Sequence, residues 1–86
     1  MHYIYILKCS DKSLYTGWTT DLKRRLIAHQ SKKGAKYTKA RLPVSLVYFE
    51  EYDCKSTALK RERAIKKLSR SRKLELIENG INYDIK

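Results

Sequence analysis

Two tyrosines, an arginine, a histidine and one distant glutamate stand out in this chain by type and by position. Tyr5 and Tyr15 lie ten residues apart, and Thr16-Gly17 follows the second. Arg25 comes eight residues after Gly17, and His29 four residues later. Glu62 is the only acid between Lys55 and Lys73, among nine basic residues. Core packing does not require these spacings. Phenol, guanidinium, imidazole and carboxylate are groups that donate, accept and carry charge around an anion. Twenty Lys and Arg against nine Asp and Glu give a net charge of +11, more than solubility needs. That balance predicts a polyanionic partner, nucleic acid first and an acidic membrane surface second. The alternative is a solvated basic surface without a dedicated partner.

The elements that must position these groups follow from the pattern. His2 to Lys8 (HYIYILK) is aromatic and β-branched, apolar on both faces, and reads as a central strand. A Ser-Asp turn leads to a second strand, Ser13 to Trp18. The connection is too short for a parallel crossover, so the pair is an antiparallel hairpin. Gly17 in that strand marks a bend or a close backbone approach. Thr20 is the expected cap of a helix from Asp21 to about His29, with Asp21 suiting its positive end. On a 3.6-residue period, Leu22, Arg25, Leu26 and His29 share one face, so Arg25 and His29 sit beside the residues that anchor the helix. An arginine there needs something to hold.

Ser31 to Pro43 is a polar basic loop with one helical turn around Ala35 to Lys39. Between Lys23 and Arg41 there are eight basic residues and no acid. Val44 to Tyr52 is a third strand. A helix capped by Ser56 runs to about Leu68, with Ala58, Ile65 and Leu68 as its buried stripe and Glu62 upon that stripe. A last helix, capped by Ser69 or Ser71, is expected to stop at Asn79-Gly80, with the tail Ile81 to Lys86 partly ordered. The fold class is therefore α/β: a three-stranded antiparallel sheet flanked by helices, in one domain spanning 1–86. Cys9 and Cys54 have no metal-ligand spacing and read as free thiols of a reducing compartment. With no signal-like apolar run and no span of roughly 20 apolar residues, a cytoplasmic location is expected.

The ordered set of residues resembles the GIY-YIG nuclease domain, and among its members the small stand-alone bacterial ones. The first triplet reads Tyr3-Ile4-Tyr5 and the second Tyr15-Thr16-Gly17. DLKRRLIAH follows with Arg25, and a downstream helix, LKRERAIKKL, carries Glu62. The resemblance covers residues 2 to 78. Tyr3 stands where the family has Gly, and Thr16 where it has Ile; the chemical side chains Tyr5 and Tyr15 are kept.

The resemblance implies an endonuclease that hydrolyses nucleic-acid phosphodiesters, DNA in repair or recombination, with low sequence specificity. It implies that Glu62 binds Mg²⁺ or Mn²⁺ and that Arg25 neutralises charge on the phosphoryl oxygens. Tyr5, hydrogen-bonded or, with adjacent positive charge, partly ionised, would position or deprotonate the attacking water. Tyr15 would orient water or phosphate, and His29 would contact phosphate or relay a proton. Lys23, Arg24, Lys32, Lys33, Lys36, Lys39, Arg61 and Lys66 are the expected phosphate contacts, holding nucleic acid without reading its sequence. Nothing in the chain plays the DNA-binding module of larger relatives, so specificity falls to substrate structure or a protein partner. Trp18 is either a base-stacking platform or core. Tyr3, Tyr48 and Tyr52 read as packing, and a Glu62–Lys66 pair at i, i+4 is the plain alternative for that acid. The alternative function is a basic nucleic-acid-binding module that does not cut.

Overall fold

The computed structural model describes residues 1–84, with side chains described through Gly80. The expected tail is helical as far as Asp84, where it continues the last helix, and 85–86 lie outside the described residues. Strands β1 (His2–Lys8), β2 (Leu14–Thr19) and β3 (Ser45–Tyr52) form one antiparallel sheet in the order β2-β1-β3. The alternation within β1 explains its central place. Ile4 and Ile6 are fully buried on one face, and Tyr5 and Leu7 on the other. A strand with two dry faces needs a neighbour on each edge and a layer on each side. The third strand pairs Ile6 with Tyr48 but Leu7 with Leu46, so Val47 is an extra residue in the ladder.

Four helices supply the two layers. On the Tyr5 and Leu7 face lie α1 (Leu22–Gln30) and the single turn α2 (Lys36–Lys39). Leu22 and Leu26 of α1 pack there with Leu42, Val44 and Leu46. On the Ile4 and Ile6 face lie α3 (Lys55–Lys66) and α4 (Arg70–Asp84). Ala58 and Ile65 of α3 are wholly buried there, as the stripe requires.

The helix ends depart from the sequence reading. Asp21, not Thr20, caps α1, its carboxylate accepting from the Arg24 N–H at 3.1 Å. Cys54, not Ser56, is the cap residue of α3, and it makes no side-chain cap bond. Ser69 caps α4 through its hydroxyl and the Arg72 N–H, 3.3 Å. Gly80 does not end α4. A Cβ at that position would meet the Tyr48 ring at 2.2 Å, so glycine is there to let strand and helix close.

Glu50 ties these layers together. It accepts hydrogen bonds from the hydroxyls of Tyr48 and Tyr52 and a bidentate pair from Arg61, Nε at 2.9 Å and Nη2 at 3.0 Å. These bonds outweigh burial and hold the Glu50 carboxyl below its ordinary range. Burial and the neighbouring carboxylate push the Tyr52 phenol up to about 12. Arg61, expected as a phosphate contact, thereby clamps α3 to β3 through Glu50.

Candidate active site

Tyr5 is the hub. Its hydroxyl lies 2.9 Å from His29 Nε2 and accepts from Arg25 Nε at 3.4 Å. The ring reaches this place because β1 sets Tyr5 opposite Gly17 on β2. A Cβ on Gly17 would stand 2.5 Å from the Tyr5 hydroxyl oxygen, so glycine is the residue that lets the phenol cross the edge strand. Arg25 and His29 are one helical turn apart on α1 and both face inward, as their spacing predicts. Tyr15, next on β2, completes the cluster: its ring centroid is 6.3 Å from Tyr5 and 5.4 Å from His29. It also stacks on Tyr37, whose ring carries the Arg41 guanidinium at 3.9 Å.

Burial and charge set the protonation states. Burial raises the Tyr5 phenol, and the hydrogen bond from Arg25 only partly offsets it. Of the two expectations for Tyr5, the hydrogen-bonded phenol is the one the structure has, and the partly ionised one is corrected: desolvation wins, and Tyr5 is neutral at pH 7. His29 is completely buried, and burial, then the Arg25 charge, lowers its imidazole from 6.5. Its hydrogen-bonded phenol favours the Arg25 cation, against burial. The cluster thus pairs a neutral phenol with a neutral imidazole beside a fixed positive charge.

Glu62 stands on α3, in the layer on the other side of the sheet. It shares the α3 face of Ala58 and Ile65, which pack against Ile4 and Ile6. The helix that carries the carboxylate thus belongs to the layer opposite α1. The Glu62 side chain is 16% exposed and pairs with Lys66 Nζ at 3.3 Å. Its charge still acts on Tyr5, as the smallest of the influences that raise the phenol. Among the described residues no cluster of three or more His, Cys, Asp or Glu could hold a metal ion.

Six of the expected phosphate contacts, Lys23, Arg24, Lys32, Lys33, Lys36 and Lys39, are exposed on and between α1 and α2. Lys66 is held on Glu62. Beside Arg25 lies an open groove of about 290 Å³ lined by Thr19, Thr20, Asp21, Arg24 and Ala28. Trp18 packs against the Ile4 cluster, stacked on His2 at 5.9 Å, with Lys55 Nζ 5.0 Å from its ring.

Two residues of the site escape a reading by sequence. Thr38, wholly buried, places its hydroxyl 2.8 Å from His29 Nδ1. Gly34 lies so close that a Cβ there would stand 2.3 Å from the same nitrogen. Glycine and threonine in a basic loop carry no period and no motif that would single them out.

A three-stranded sheet with two phenols, an arginine and an imidazole on one face, and a lone carboxylate on the helix behind, defines an α/β domain of the GIY-YIG kind. The chain belongs to that family, a family of nuclease domains: residues 1–75 match the GIY-YIG catalytic domain. A UPF0213 protein of Staphylococcus saprophyticus is 60% identical over 79 residues, covering 92% of this chain and 96% of the relative. One from Haloquadratum walsbyi is 54% identical over 83 residues, covering 96% and 93%. The solution NMR structure of a UPF0213 protein from Bacillus halodurans superposes with a TM-score of 0.62 at 47% identity, covering 95% of this chain and 88% of that one. Among the described residues no helix is long and apolar enough to cross a membrane.

Proposed function

We propose that this protein is a divalent-metal-dependent endonuclease that hydrolyses nucleic-acid phosphodiesters, with DNA as the favoured substrate. One observation carries the reading: a buried phenol hydrogen-bonded to a neutral imidazole and to an arginine, held over a glycine that leaves its oxygen room. A neutral phenol is a poor base at pH 7, but one that can pass its own proton on while taking another is not so limited. The Tyr5 oxygen accepts a proton from the attacking water while its hydroxyl proton moves to His29 Nε2. The water oxygen bonds to phosphorus, the bond to the leaving oxygen breaks, and solvent protonates that oxygen. Arg25 faces the phosphoryl oxygens with its planar fork and offsets their growing charge. Tyr15 borders the same space and orients water or phosphate.

Glu62 is the residue that would hold Mg²⁺ or Mn²⁺, whose bound form supplies Lewis-acid stabilisation of the phosphate. A lone carboxylate suits an ion that takes the rest of its ligands from water and substrate phosphate. The exposed lysines of α1 and α2 hold the backbone without reading bases, so cleavage follows substrate structure or a protein partner. Repair and recombination intermediates offer such structures.

The Glu62–Lys66 pair favours a second reading, a module that binds nucleic acid and does not cut. Nicking assays on branched and plain DNA, with Mg²⁺ or with EDTA, separate the two. Mg²⁺-dependent nicking is expected, abolished by Glu62→Ala and by Arg25→Ala while gel-shift binding persists. Salt-sensitive binding without cleavage on any DNA or RNA would establish the module instead.

A further inference from the structure

We infer that Thr38 is a positioning residue that fixes the tautomer of His29, and so decides that Nε2 is the nitrogen that takes the Tyr5 proton. The inference rests on the proposed hydrolysis and extends it to a residue outside the family motifs. A threonine hydroxyl has a single proton to give. That of Thr38 goes to the Ala35 carbonyl, 2.9 Å away. Its contact with His29 Nδ1, 2.8 Å, therefore has the hydroxyl as acceptor and Nδ1–H as donor. In a neutral ring the hydrogen bond at one nitrogen settles the state of the other. Nε2 is left with its lone pair, 2.9 Å from the Tyr5 oxygen, and the phenol O–H points at it.

The surroundings hold this arrangement. His29 and Thr38 are both completely buried, so no solvent competes for either nitrogen. Gly34 presses on the imidazole from the side of Nδ1, where nothing larger fits. A ring with the opposite tautomer would aim Nε2–H at the Tyr5 oxygen and leave Nδ1 facing a hydroxyl whose proton is already committed. That ring cannot receive the phenol proton. The short helix α2 and the turn before it thus exist, in this part of the chain, to fix where one hydrogen sits. With the proton relayed, the ring becomes an imidazolium whose Nδ1–H still rests on Thr38.

Nitrogen-15 spectra of the ring test this on the full chain, without substrate or metal. His2 is the only other histidine, and its replacement in His2→Gln assigns the signals. At pH 7.5 His29 should show a protonated Nδ1 and a bare Nε2. Thr38→Ser should keep that state. Thr38→Val, similar in shape but without the hydroxyl, should move the proton to Nε2, and nicking should fall about 100-fold, the scale of a lost general base. DNA binding should stay within about twofold. A wild-type ring protonated on Nε2 would overturn the inference, as would Thr38→Val with an unchanged ring and unchanged nicking. Should Thr38→Val fail to fold, the wild-type and Thr38→Ser spectra still decide. The expected tautomer in a chain that cuts no substrate would sink the hydrolase reading alone.

Discussion

Gly17 is a residue whose importance lies in what it lacks. Any side chain there would occupy the space of the Tyr5 hydroxyl, 2.5 Å from the position of a Cβ. Gly17→Ala should displace the phenol from His29 and Arg25, reduce nicking by at least ~100-fold and cost about 1–3 kcal/mol in a urea melt, as overpacking does. His29 gives a second expectation. Its imidazole is lowered from 6.5, so the unfolded chain takes the proton first as pH falls. Its contribution to stability is complete above about 6.5 and is lost below, as the pH approaches the folded value. Nicking needs the neutral ring, and Tyr5 is raised from 10. The rate should therefore stay level between pH 6.5 and about 10 and fall on the acid side only below 6.5; an acid limb centred above 7 would contradict the neutral pair. Tyr5, Tyr15, Arg25 and Thr38 are the groups that face the ring. At this scale the meeting of Tyr5, Arg25 and His29 was legible because type, spacing and helical period agree. The neutral state of Tyr5 was not, since counting nearby cations reveals attraction but not desolvation.

At the scale of elements, the clamp on Glu50 sets how α3 sits on the sheet. Glu50→Ala removes the acceptor of Tyr48, Tyr52 and Arg61 together. The loss should be about 2–3 kcal/mol by chemical melt, below the ~3–5 of a fully buried pair because Arg61 reaches solvent. With the Glu50 carboxyl held low in the folded state, this support is complete above about pH 4.5 and disappears as acid protonates it. Strand order was readable from β1 alone, since apolar residues on both faces require neighbours on both edges. Cap residues were misplaced by one or two positions because Thr20 and Asp21, or Cys54 and Ser56, are adjacent candidates that only the backbone path separates. Gly80 resembled a helix stop, yet its reason is a ring on a distant strand. The pairing of Arg61 with Glu50 was hidden for the same cause: the partner lies on another element, beyond any local pattern.

Over the whole molecule, charge is spread unevenly with respect to function. Exposed Lys23 and Arg24 lie on α1, which also carries Arg25 and His29, and exposed Lys32, Lys33, Lys36 and Lys39 lie on the loop and the α2 turn that follow it. Should all six meet phosphates, the plot of log affinity against log salt would have a slope of about −5, and each Lys→Ala would reduce it by roughly 1 without changing sequence preference. Fluorescence anisotropy across a salt series measures this. A slope near zero would remove the basic face from the binding surface.

If the proposed site is the working one, its division between the two layers bears on when the protein can act. A chain made from its N-terminus presents both phenols, the guanidinium and the imidazole early, and gains the carboxylate only once α3 has settled on the far side of the sheet. Nascent molecules therefore hold an incomplete set. If the set is the hydrolytic one, a nascent chain cannot cut before α3 closes the core, and on warming nicking should vanish in the same transition that melts the sheet, since Ala58 and Ile65 share one core with Ile4 and Ile6.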